Sequence, residues 1–245
     1  MRIPLPAALA VVLVGLALAP AVPAAEPDHG FLDKTYRGDD GKESKYTLFV
    51  PYDYNGDKSY PLIVYLHGSG EGGTDGKRPA HVGLGPAVRK QEKTFPFLVL
   101  FPQSHNGGWR ADSEDAKRTL DILDDVQKTY RVDPKRVSLT GMSSGGDGTW
   151  ALAVKYPDRW AAIVPVAGDG DPASAAKIKD IPCWCFQGGK DGRGDVENAH
   201  AMMKTLKDAG ADPRYTEYPD LGHEIWNKAY GTPELYDWLL KQHRP

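Results

Sequence analysis

Val137-Ser138-Leu139-Thr140-Gly141-Met142-Ser143-Ser144-Gly145-Gly146 is an alternating apolar run that ends in Gly-x-Ser-x-Gly and passes straight into a glycine-rich helix start. A strand that turns so abruptly into a helix holds the central residue at strained backbone angles and pushes its side chain outward. Gly141 and Gly145 lack the Cβ atoms that would collide where strand and helix close up. The pattern makes Ser143 a candidate nucleophile, its hydroxyl exposed above the carboxyl ends of a sheet. Ser144 competes for that role but stands off the centre of the turn.

Outward from this turn, apolar runs and helical periods alternate. Tyr46-Thr47-Leu48-Phe49-Val50 reads as a strand, and Pro61–Leu66 and Phe97–Phe101 are apolar enough to be central strands covered on both faces. A short helix is expected over 87–93. Leu120, Leu123, Val126 and Tyr130 recur at three- and four-residue steps, which predicts a helix from Asp112 to Tyr130 with Asp112 and Asp115 at its start. A further helix follows the Ser143 turn, running through 150–154 and ending before Pro157. Strands follow at 161–166, 181–186 and 214–218, with helices at 195–209 and 233–242 and a short one at most at 173–179. Glu26 to Asp33 reads as a polar lead-in. Strands and helices alternating at this pace give βαβ units and a mostly parallel, doubly wound sheet flanked by helices.

Residues 1–24 have the pattern of a secretory signal. Arg2 precedes an uninterrupted apolar run from Ala7 to Ala19, and small residues lead to a cleavage point near Ala24. That run is shorter than the about 20 residues a bilayer requires, so no membrane anchor is expected and the mature protein is placed outside the cytoplasm, secreted or periplasmic. Cleavage removes Arg2 and takes the formal net charge from −3 to −4. A mildly acidic chain without a basic run carries no footprint for nucleic acid. Residues 25–245 read as one α/β domain, with no repeat, no linker and no insertion long enough for a large lid. Cys183 and Cys185 lie on the same side of a strand, about 6.6 Å apart. Two buried free thiols are the expectation, and no metal site is.

A serine hydroxyl needs a general base, and the base an orienting carboxylate. Two loops downstream of strands supply them: Gln187-Gly188-Gly189-Lys190-Asp191-Gly192, and Tyr218-Pro219-Asp220-Leu221-Gly222-His223-Glu224. His223 is the candidate base, since His200 lies within a predicted helix. Asp191 is the candidate acid. Asp169 and Asp171 follow the preceding strand, and Asp195 is placed to cap a helix. Ester cleavage also requires backbone N–H groups facing the developing oxyanion. Ser144 provides one at a helix start, and the loop His67-Gly68-Ser69-Gly70 provides a second at Ser69. Trp109 and Trp226 sit on loops expected to ring the site, where either has the surface to stack on a sugar or aromatic acyl group; packing in the core or at the rim is the default reading for each.

Leu66-His67-Gly68-Ser69-Gly70-Glu71, Phe101-Pro102-Gln103, Asp133 through Ser143, Gly148-Thr149-Trp150, Tyr156 through Trp160 and Tyr218 through His223 carry a family resemblance. The chain resembles the α/β-hydrolase superfamily, in its branch of secreted bacterial esterases and "predicted peptidases". That branch is similar to feruloyl and acetyl-xylan esterases and polyhydroxybutyrate depolymerases. The resemblance implies a serine carboxylic-ester hydrolase that needs no cofactor and acts on small-molecule or polysaccharide-linked esters. It places nucleophile, acid and base on Ser143, Asp191 and His223. Three positions depart from the family pattern: Ser144 replaces a bulky residue, Gln187 stands where a histidine is common, and Asp147 replaces an apolar one. A serine peptidase of the prolyl-oligopeptidase type and a non-catalytic polymer-binding homologue are the rival readings.

Overall fold

The computed structural model describes residues 28–192 and 196–245, so the expected signal segment and Asp195 lie outside the described residues. Eight strands form one sheet: β1 (Gly30–Arg37), β2 (Glu43–Val50), β3 (Tyr60–Leu66), β4 (Leu98–Phe101), β5 (Val132–Met142), β6 (Ala162–Val166), β7 (Trp184–Gly188) and β8 (Arg214–Tyr218). Their order is β1-β2-β4-β3-β5-β6-β7-β8, antiparallel from β1 to β4 and parallel from there on.

Successive side chains of a strand point to opposite faces, and here both faces are covered. Leu62, Val64 and Leu66 of β3 join one core cluster while Ile63 and Tyr65 join the other. The first face carries α2 (Glu114–Thr129), α3 (Ser144–Lys155) and α4 (Val196–Asp208), which contribute Leu123, Trp150 and Met202 among others. The second carries α1 (Leu84–Lys90), α5 (Trp226–Ala229) and α6 (Pro233–Leu240), through Val88, Ala229 and Leu239. This explains why β3 and β4 are unbroken apolar runs rather than alternating ones.

Several local boundaries differ from expectation for identifiable reasons. The polar lead-in is β1, an edge strand whose exposed face hides the alternation; its Phe31 packs on Phe49 with ring centroids 5.0 Å apart. Helix α1 begins at Leu84, because Pro86 falls in the first turn, where a missing N–H costs no intrahelical bond. Ser113, not Asp112 or Asp115, caps α2 by accepting the Ala116 N–H at 3.1 Å. Strand β7 runs two residues further than expected, to Gly188, and begins only after Pro182, which has no N–H to give a ladder. Residues 172–178 form a 3-10 turn rather than an α-helix. Cys183 and Cys185 are free and buried, and burial pushes the Cys185 thiol up to about 12.

Candidate active site

The site begins with the turn between β5 and α3. Ser143 has φ 53° and ψ −124°, in the left-handed half of the map that costs a side-chain-bearing residue on the order of 1–3 kcal/mol. Hydrogen bonds hold it there: its N–H donates to Val166 O at 2.9 Å, and its carbonyl accepts from Gly146 and Asp147 N–H. The helix can lie so close only because its glycines are bare. A Cβ on Gly145 would stand 2.0 Å from Leu66 O, and one on Gly141 would stand 2.2 Å from Gly145 O.

The loops after β7 and β8 meet Ser143 from the other side. Lys190 N–H donates to Leu221 O at 2.8 Å and Gly189 N–H to Tyr218 O at 2.9 Å, so the two loops are fastened backbone to backbone. His223 Nε2 lies 2.8 Å from Ser143 Oγ, and His223 Nδ1 lies 2.8 Å from Asp191 Oδ2. The Asp191 side chain is fully buried and that of His223 is 15 % exposed. A carboxylate only accepts, so the imidazole carries its proton on Nδ1, and Nε2 is left to accept from the Ser143 hydroxyl. Three side chains separated by up to 80 positions are thus in one hydrogen-bonded line.

The other candidates make other hydrogen bonds. Asp171 caps the 3-10 turn at Ala173 N–H, and Asp169 N–H donates to Asp147 Oδ1 at 2.7 Å. His200 pairs with Glu217 at 2.7 Å on the outer side of α4. The Ser144 hydroxyl donates to Gly107 O at 2.7 Å and is therefore engaged. Asp147 reaches solvent at the rim, yet the protein around it pushes its carboxyl above the usual range, and the neighbouring Asp169 adds to the rise.

Ser144 opens α3, where the first N–H groups have no carbonyl a turn earlier to bond. The His67–Glu71 loop lies beside it: a Cβ on Gly68 would be 3.6 Å from Ser143 Cβ. Ser69 opens a 3-10 turn to Glu71 on this loop. His67, which the sequence reading treats only as part of the loop, is its internal brace. It is fully buried, with Nδ1 donating to Gly68 O at 2.6 Å and Nε2 accepting from Ser104 N–H at 2.9 Å. Burial holds its imidazole below the usual range, in the neutral form those two bonds require. Gln103 Nε2 adds a bond to Glu71 O at 2.8 Å.

The two tryptophans separate. Trp109 is 3 % exposed, donates its indole N–H to His67 O at 2.8 Å and packs edge-on to the His67 ring. It supports the loop from beneath and has no face free for a substrate, which corrects the expectation of a stacking platform. Trp226 opens α5 and stands edge-on to His223, with ring centroids 5.7 Å apart. It alone of the pair remains at the rim. A further residue, Gln187, reaches Asp191 Oδ2 with its side-chain Nε2 at 3.1 Å.

Poly(3-hydroxyalkanoate) depolymerase C of Paucimonas lemoignei is 28% identical over 144 residues, covering 54% of this chain and 33% of that protein. Feruloyl esterase D of Neurospora crassa is 26% identical over 210 residues, or 80% of this chain and 71% of the relative. The crystal structure of a thermostable esterase superposes with a TM-score of 0.77 at 33% identity, over 87% of this chain and 63% of the other. The chain thus spans a third of the depolymerase's length and less than two thirds of the thermostable esterase's. Together with that superposition, the match of residues 104–234, more than half of the chain, to the model of the dienelactone hydrolase family shows that this α/β-hydrolase belongs to that family.

Proposed function

We propose that this protein is a secreted serine ester hydrolase working by acyl transfer. His223 takes the Ser143 proton as Oγ attacks the ester carbonyl carbon, and the N–H groups of Ser144 and Ser69 face the oxyanion that forms. Asp191 holds the imidazole in the required tautomer and balances its positive charge. The intermediate collapses as His223 returns the proton to the departing alcohol. Water, deprotonated by the same imidazole, then releases the acid from Ser143. No cofactor enters any of these steps.

The observation that carries this reading is the line from Asp191 through His223 to Ser143, with both links at 2.8 Å. Esters linked to carbohydrate or polymer are the proposed substrates, since the relatives are named for feruloyl esters and poly(3-hydroxyalkanoate). Trp226 is the proposed contact for a ring of the acyl or sugar group. Residues 25–245 are proposed as one catalytic domain, exported by residues 1–24. Among the described residues no helix is long and apolar enough to cross a membrane.

Ser143→Ala is expected to abolish hydrolysis of p-nitrophenyl acetate and labelling by a fluorophosphonate probe, and retained activity refutes the assignment. A panel of methyl ferulate, acetylated xylan, polyhydroxybutyrate and a peptide amide then fixes the substrate class. Preference for the amide overturns the esterase reading.

A further inference from the structure

Two side chains converge on one oxygen of Asp191. His223 Nδ1 approaches Oδ2 at 2.8 Å, and Gln187 Nε2 approaches the same atom at 3.1 Å. Gln187 is 1 % exposed, at the penultimate position of β7, four residues before the carboxylate it touches. Its other amide atom, Oε1, is buried without a hydrogen-bond partner among the described residues. Turning the amide over gives no relief, because it sets Oε1 against Oδ2, acceptor against acceptor. The carboxylate therefore dictates which way the amide faces.

A dry carbonyl oxygen weakens a fold, and an apolar side chain of the same length avoids the cost. For the fold, the bond to the buried carboxylate and the dry carbonyl oxygen roughly offset each other, so stability alone gives little reason for glutamine over methionine. What glutamine adds is a second grip on a carboxylate whose terminal torsion is soft and roughly two-fold. Each donor on Oδ2 resists rotation of the carboxylate about its Cβ–Cγ bond. With donors from two directions, Oδ2 stays in line with His223 Nδ1. An amide also keeps its donor at every pH and adds no charge next to the imidazole.

We propose that Gln187 is a positioning residue of this site, holding Asp191 in register with His223. The proposal rests on the reading of Ser143, His223 and Asp191 as a triad. Gln187→Met and Gln187→His in the full chain test it. For Gln187→Met, kcat on p-nitrophenyl acetate is expected to fall about tenfold, the effect of one hydrogen bond to a charged group, with KM within twofold. Its Tm is expected to stay close to wild type, and the low-field proton resonance of the Asp191–His223 bond to shift. Gln187→His, which retains an N–H donor, is expected to recover kcat to within about threefold of wild type.

Gln187→Met at wild-type kcat overturns the proposal, as does an unmoved low-field resonance. A Gln187→Met chain that unfolds or whose Tm falls steeply also overturns it, since the site is then disturbed as a whole. Wild-type hydrolysis and its loss in Ser143→Ala are the control. If they fail, the triad reading fails, whereas a fully active Gln187→Met removes only the role given to Gln187.

Discussion

Gly145→Ala puts the closeness of helix and sheet to a direct test. The added Cβ would stand 2.0 Å from Leu66 O, 2.6 Å from Leu66 C and 2.7 Å from His67 O, all backbone atoms of the neighbouring strand and its exit. Ordinary contact begins at 3.4 Å, so α3 and β3 must separate by up to 1.4 Å. Neither the strand nor its hydrogen-bonded exit yields as a flexible side chain would. Ser143 lies two residues before this contact and shares its turn, so the displacement passes into the 2.8 Å link to His223. A 1 Å misplacement of a reacting group costs about 10²-fold in rate, equivalent to about 2.7 kcal/mol. Overpacking costs the fold about 1–3 kcal/mol as well. Steady-state hydrolysis of p-nitrophenyl acetate and the urea midpoint measure the two effects separately. Gly108→Ala is the companion, since a Cβ there meets nothing within 4 Å and neither quantity should change. If Gly145→Ala retains kcat/KM within threefold at an unchanged midpoint, the helix does not lie against β3 as described.

Three more perturbations address the braces beneath the site. Trp109→Phe leaves His67 O without its indole donor, so stability should fall by about 1–3 kcal/mol and kcat should drop at nearly constant KM; a raised KM at unchanged Tm would restore a substrate-stacking role instead. Burial depresses the His67 imidazole below its ordinary 6.5, so its contribution to stability is full above that value and is lost as pH falls through the depressed one. The decline of Tm on acidification should therefore be shallower in His67→Asn than in wild type, and parallel curves would refute this. Glu71 shifts the other way: burial raises its carboxyl above 4.5, so its contribution is full below that value and is lost as pH rises through the raised one. Thermal melts of Glu71→Gln at pH 4 and pH 7 should show the variant gaining on wild type at the higher pH, and an equal difference at both would contradict the sign.

The core of the site was legible because its chemistry is local. Gly-x-Ser-x-Gly states a backbone conformation in five residues, and the loops bearing Asp191 and His223 follow apolar runs that read as strands. The order of these loops along the chain is enough to bring them to one end of a parallel sheet. What escaped is what depends on contacts between distant segments. His67 braces a loop through Ser104, 37 positions away, and Trp109 caps the same histidine's carbonyl from 42 positions away. Nothing in either local sequence distinguishes a buried brace from a rim residue. Strand β1 was hidden for a related reason, since an edge strand shows only half of the alternation by which strands are read. Gln187 stood out as a departure from the family pattern, but its meaning waited for the distance to Asp191.

The imidazole hangs from an edge of the sheet. Among the described residues strand β8 has β7 as its only neighbour, and its five residues are exposed or half-buried throughout. A margin of this kind can fray while the middle of the sheet keeps its ladder. Five positions beyond that margin sits His223, the proposed general base. Heating should therefore silence turnover several degrees before circular dichroism records any melting, and a peptide staple joining β8 to β7 should close that gap without touching a single group that meets the substrate.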